Sequence, residues 1–202
     1  MTAPPDQAGF LGPFTALPMV EDEEIQGRDF ALVAGGPQVV NGFALEHQHH
    51  DQWCWAAVAS SIARLLRNPG ETQEHVAQLV LGPQYPANTP EDLQAAFQAA
   101  HIAHYNPWDG FDGSPNLFER VIKPEVDGDR PVGVEIAFPG NNHFVAVYAY
   151  RVMSPSQVYV YWQDPADPNP PGSAHGALLA GPATAYYPGG TWGRTYFSAK
   201  MP

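Results

Sequence analysis

The chain has one cysteine, Cys54, set in the run Gln48-His49-His50-Asp51-Gln52-Trp53-Cys54-Trp55-Ala56-Ala57. Directly after it, Val58, Ile62, Leu65 and Leu66 recur at i, i+4, i+7 and i+8, the spacing of an amphipathic helix. Cys54 therefore opens that helix, where unpaired backbone N–H groups and the positive end of the dipole favour an anion. The anion is also the form in which a thiol attacks. Six residues upstream stands Gln48, whose side-chain NH2 can donate to an oxyanion. An amide donor, a spacer and a cysteine at a helix start are the parts of a nucleophile with its oxyanion hole. A cysteine between two tryptophans also suits an inert core position, and Gln48 is what separates the two readings. Such a nucleophile needs a base. Of the eight histidines, His143 is placed best, opening the apolar run Phe144 to Tyr150 just after Pro139-Gly140-Asn141-Asn142.

The elements that must position these residues fall into two halves. Val39 to Leu45 alternates loosely and predicts a short strand leading into the Gln48 loop. The Cys54 helix stops at Asn68-Pro69-Gly70. Thr72 caps a second helix that ends at Gly82-Pro83, and Thr89-Pro90-Glu91-Asp92 starts a third with Thr89 as its cap. Ser114-Pro115 opens a fourth, which Pro124 ends. From Arg130 the character changes. Arg130 to Phe138, His143 to Val152 and Val158 to Trp162 are β-branched and aromatic runs joined by short turns, the pattern of antiparallel strands. A loop follows from Asp164 to Gly176, then one or two closing strands, the last being Gly190 to Phe197. Helices first and antiparallel strands second predict an α+β fold of two lobes.

Composition narrows the function. The net charge of −12, from 21 acidic against 9 basic residues, argues against nucleic acid and anionic membrane surfaces as partners. With 44% hydrophobic residues in a length of 202, the chain can bury a sizeable core. A single cysteine has no partner for an internal disulfide and none to resolve a dithiol redox cycle. The first residues lack a basic n-region and an apolar h-region, and no apolar run approaches the ~18 residues of a membrane span. The expected location is the cytoplasm, or outside the cell by a route without a Sec-type signal. Residues 1–36, broken by Pro4-Pro5, Gly12-Pro13 and Gly35-Gly36-Pro37, read as an irregular extension before a domain over 37–202.

The Gln48 to Ala57 run resembles the papain-like cysteine peptidases, in particular a bacterial branch with a Gln-x5-Cys-Trp-Ala-Ala signature that includes effector proteases of plant pathogens. The resemblance implies a two-lobed fold with the nucleophile on the central helix of a helical lobe. The other lobe would be an antiparallel sheet or barrel. It implies Cys54 as nucleophile, Gln48 and the Cys54 N–H as the oxyanion hole, and His143 as base. The member that orients the base stands at the end of the next strand, which points to Asp164 in Tyr161-Trp162-Gln163-Asp164-Pro165. An Asp-Pro pair also starts turns, and Trp162 could shield a His143–Asp164 contact or simply fill the core. The implied substrate is a protein or peptide, and no cofactor is expected. Two rivals use the same residues: a transglutaminase-like acyltransferase or amidase, and a silent binding module on this scaffold. His47, His49, His50 and Asp51 could suggest zinc, but three properly divergent ligands are not evident, so no metal site is expected. His101 and His104 suit the negative end of a helix, and Tyr85, Tyr105, Trp108 and Phe111 could line a cleft or fill loops.

Overall fold

A computed structural model of the chain describes residues 37–102, 108–109, 118–154, 157–167, 175–179 and 190–198. The extension 1–36, the Ser114-Pro115 helix start, His104, Tyr105 and Phe111 lie outside the described residues. Among those described, four α-helices pack with a mixed-order antiparallel sheet, so the fold is mixed α and β. No described helix is long and apolar enough to cross a membrane.

Helix α1, Cys54–Leu66, forms where its periodicity predicts, but it is not buried on one face only. Every residue from Cys54 to Ala63 is buried, Ser60 and Ser61 included, while Leu65 and Leu66 are half-buried, because neighbours pack around its first turns. Trp53 and Trp55 are fully buried, and their indole N–H groups donate to Ala87 O at 3.0 Å and Thr89 O at 3.1 Å. Each ring removes roughly 150–250 Å² from water, on the order of 4–6 kcal/mol at ~25 cal/mol per Å². The start of α1 and the chain at 87–89 are thereby fixed to each other. Helix α2, Gln73–Leu81, is capped by Thr72, whose hydroxyl accepts from His75 N at 3.1 Å. It ends at Gly82, whose φ of 52° suits glycine. Helix α3 is Leu93–Ala99, three residues shorter at its start than Thr89-Pro90 predicts. Its cap is Asp92, which accepts from Gln94 N at 2.8 Å, while the Thr89 carbonyl is taken by Trp55. Helix α4, Lys123–Asp127, follows a wide turn over Phe118–Ile122. Pro124 does not end a helix there; it sits in the first turn of α4, where its missing N–H costs nothing.

The strands are β1 Gln38–Val39, β2 Trp108–Asp109, β3 Val132–Phe138, β4 Asn141–Ser154, β5 Gln157–Gln163, β6 His175–Leu179 and β7 Thr191–Tyr196. They run in the order β2-β7-β3-β4-β5-β6, with β1 added to β4 beyond the end of β3. Among the described residues this path is open at β2 and β6, so the sheet is not a closed barrel. The expected Val39–Leu45 strand is only the two residues of β1, plus one further bond from Val40 N to Tyr148 O at 2.8 Å. Asn41-Gly42, with Gly42 at φ 73°, then turns the chain away. The turn between β3 and β4 is also tighter than expected: Phe138 already pairs with Asn141, so His143 is the third residue of β4. Part of the segment read as a loop, from His175, belongs to β6.

One continuous hydrophobic cluster joins the helices to the sheet. α1 touches α2, α3 and β4, and α3 approaches β3 so closely that a Cβ at Gly133 would stand 2.7 Å from Leu93 Cδ2. In the β4–β5 ladder Val147 pairs with Trp162 but Ala149 with Tyr161, leaving Tyr148 as the extra residue of a β-bulge.

Candidate active site

Ala146 of β4 pairs with Gln163 of β5, so Asp164 leaves β5 within a diagonal step of His143 and on its side of the sheet. The side chains meet there: His143 Nε2 lies 2.7 Å from Asp164 Oδ1. The same carboxylate oxygen accepts from Ala166 N at 2.8 Å, so Asp164 starts the Asp-Pro turn and meets His143 through one oxygen. Asp164 is buried, and the His143 side chain is 16% exposed. With Nε2 engaged, Nδ1 is the nitrogen left for the thiol, and His143 is hydrogen-bonded to Cys54. Burial of the imidazole disfavours its charged form. Hydrogen bonds and charge from Asp164 and Cys54 outweigh that and raise its pKa to about 10. The imidazole thus keeps its proton well above neutrality.

Cys54 is buried at the head of α1 yet forms part of a cleft of about 520 Å³. Trp55, Pro90 and Glu91 line it as well, as do Gly140 of the β3–β4 turn and Asn141 and Asn142 at the start of β4. The N-cap of α1 is Trp53, which makes no side-chain cap, and no acidic residue lies in the first turn. The N–H groups at Cys54 are therefore not claimed by a capping side chain, and the helix end can stabilise an oxyanion.

Gln48 is held at both its backbone and its side chain. Its N–H donates to Pro165 O at 2.9 Å, tying it to the residue that follows Asp164. Its Nε2 donates to Asp51 O at 2.7 Å, which uses one of two hydrogens. Its Oε1 is buried without a hydrogen-bond partner among the described residues. Of Cys54, His143, Asp164 and Gln48, only Cys54 lines the cleft; His143 and Asp164 continue from it behind the cleft wall, and Gln48 is tied beside the Asp164 end.

The other sequence candidates go elsewhere. His49 pairs with Glu74, and the His50 ring lies 4.2 Å from that of Trp53, so these histidines turn to different partners. His101 closes α3 through its backbone, at φ 53°. Tyr85 packs on Trp53 and is not a cleft residue. Trp162 is buried in β5.

A polar group on the cleft wall is invisible to pattern reading. Glu135 of β3 and Arg194 of β7 face it, with Asp92 at the head of α3. The Tyr196 hydroxyl lies 3.2 Å from both Asp92 Oδ1 and Glu135 Oε2, and Arg194 Nη1 lies 3.4 Å from Asp92 Oδ2. Burial, foremost, and the two carboxylates hold the Tyr196 hydroxyl well above the ordinary phenol range. The one signal in the sequence was a carboxylate inside the apolar run Val-Gly-Val-Glu-Ile-Ala-Phe.

No protein-family model matches the chain, and no curated protein matches it in sequence. The functional reading rests on this geometry and on the residues themselves.

Proposed function

We propose that the chain is a cysteine peptidase of papain-like type. The observation that carries the reading is the line Cys54–His143–Asp164, built from a helix start, a mid-sheet strand and a strand end far apart in sequence. In this reading α1 to α3 form one lobe, the sheet forms the other, and the cleft between them holds the peptide. The Cys54 sulfur attacks the scissile carbonyl carbon, and the oxyanion is met by the Cys54 N–H and the Gln48 amide. His143, already holding a proton, gives it to the leaving amine as the C–N bond breaks. It then takes a proton from the water that hydrolyses the thioester, while Asp164 fixes its tautomer.

The reading is tested by incubating the chain with a cell extract and sequencing new N-termini. New termini with wild type, and none with Cys54→Ala, are expected. Amide crosslinks without new termini would transfer the site to a transglutaminase-like acyltransferase, and neither product would leave a binding module.

Two substitutions probe the parts of the mechanism. Gln48→Ala should slow turnover by ~10²–10³, the usual cost of one oxyanion donor. Alkylation of Cys54 by iodoacetamide should continue at the wild-type rate, because the amide acts on the oxyanion and not on the thiol. Asp164→Asn should be milder than loss of Cys54 or His143, since an amide oxygen still accepts from the imidazole. Its signature is in the pH profile. The carboxylate raises the His143 pKa, so removing its charge lowers it, and the alkaline limb of kcat/KM should move to lower pH. An unchanged limb in the folded variant would refute the orienting role.

A further inference from the structure

The peptide that carries Gln48 is gripped from behind by a buried amide. Gln73, the first residue of α2, has no solvent exposure. Its Nε2 donates to His47 O at 2.6 Å, and its Oε1 accepts from His49 N at 3.0 Å. These are the residues on either side of Gln48. One planar amide thus satisfies a carbonyl and an N–H that bracket a single residue, in the manner of a neighbouring strand.

We propose that Gln73 is a positioning residue for the oxyanion hole: its side-chain amide holds the 47–49 backbone so that Gln48 presents its own amide at a fixed place. The proposal rests on the reading of Gln48 as an oxyanion donor. The rest of the loop is tied down independently. Leu45 N donates to Gln163 Oε1 at 2.7 Å, Glu46 N to Ser61 Oγ at 3.2 Å, and Gln48 N to Pro165 O at 2.9 Å. Loss of Gln73 therefore loosens the peptide around Gln48 without freeing the segment, the kind of small misplacement that costs a transition state far more than a ground state. Burial also makes the residue type exacting. A hydrocarbon at position 73 would leave the His47 carbonyl and the His49 N–H unpaired, and a carboxylate could serve the N–H but would oppose the carbonyl.

The test is a double-mutant cycle of Gln73→Met with Gln48→Ala. It is read as kcat and KM on a peptidyl-aminomethylcoumarin substrate chosen from a pooled set with the wild-type chain. Gln73→Met alone should lower kcat by about ten-fold to 10²-fold, with KM within about two-fold. Iodoacetamide labelling of Cys54 should be unchanged. In the Gln48→Ala background the same change should cost no more than about two-fold, because the group it positions is gone. Gln73→Glu, which keeps the acceptor for His49 N–H, provides a second variant if the first folds poorly, and it should show the same non-additivity. Equal losses in both backgrounds, or wild-type kcat in a folded Gln73 variant, would overturn the clamp while leaving the oxyanion reading in place. A fully active Gln48→Ala would overturn that reading and the clamp together.

Discussion

Cys54→Ala is expected to abolish turnover while the melting temperature stays close to that of the wild-type chain. The substitution removes one sulfur at the head of α1, and the tryptophans that fix that helix start, Trp53 and Trp55, keep their burial and their hydrogen bonds. Nothing else in the cleft can replace the thiol, since it is the only one in the chain. Residual hydrolysis above the buffer rate, measured on the same peptide substrate with purified variant, would count against the nucleophile. Binding of uncleaved substrate should survive, so the variant is also the natural trap for identifying what the cleft holds.

His143→Ala should be nearly as severe, with kcat reduced on the order of 10⁴–10⁶, as found when a member of such a unit is removed. Both the approach to the thiol and protonation of the leaving amine depend on this one ring. The variant has a second, independent readout in stability. The folded pKa of His143, about 10, lies above its ordinary value of 6.5, so the native state binds the proton more tightly than the unfolded chain. That contribution is complete below about pH 6.5 and is lost as pH rises through about 10. Wild type should therefore lose stability across that window more steeply than His143→Ala in chemical denaturation. Parallel curves would show that Asp164 and Cys54 do not hold the imidazole as a cation. Full activity of the variant would sink the assignment altogether.

What could be read from the sequence, and what could not, follows from where the information sits. The Cys54 helix is legible because its apolar residues recur at helical spacing before Asn68-Pro69-Gly70, although its burial runs all round from Cys54 to Ala63. The His143–Asp164 pairing is legible because a hairpin brings the start of one strand beside the end of the next. The start of α3 was misplaced because Thr89-Pro90-Glu91-Asp92 offers two caps. The choice between them is tertiary: Trp55 takes the Thr89 carbonyl, and Asp92 then caps the helix. Closure of the sheet was equally out of reach, since strand patterns record which face is buried and not whether the edges meet. Gln73 is not legible because a polar residue looks the same in sequence whether it faces water or serves buried partners, and Glu135 shows only as a carboxylate within an apolar run, which does not name its partners. Such positions are found only when the groups they satisfy are in view.

The bulge at Tyr148 makes the site sensitive to length more than to identity. Below it Ala149 pairs with Tyr161 and Tyr150 with Val160; above it Val147 pairs with Trp162 and Ala146 with Gln163. Together with a second register shift between Val152 and Ser154 near the hairpin tip, this surplus residue sets whether His143 emerges on the side where Asp164 waits or on the reverse. Many side chains could occupy position 148 without disturbing this count. Losing or gaining a single residue anywhere from Ala149 to Asp164 outside the hairpin tip would put the two partners out of step, turning the imidazole away with every chemical group still present. For this chain, an inactive descendant could keep each reactive residue and differ only in the arithmetic of a strand.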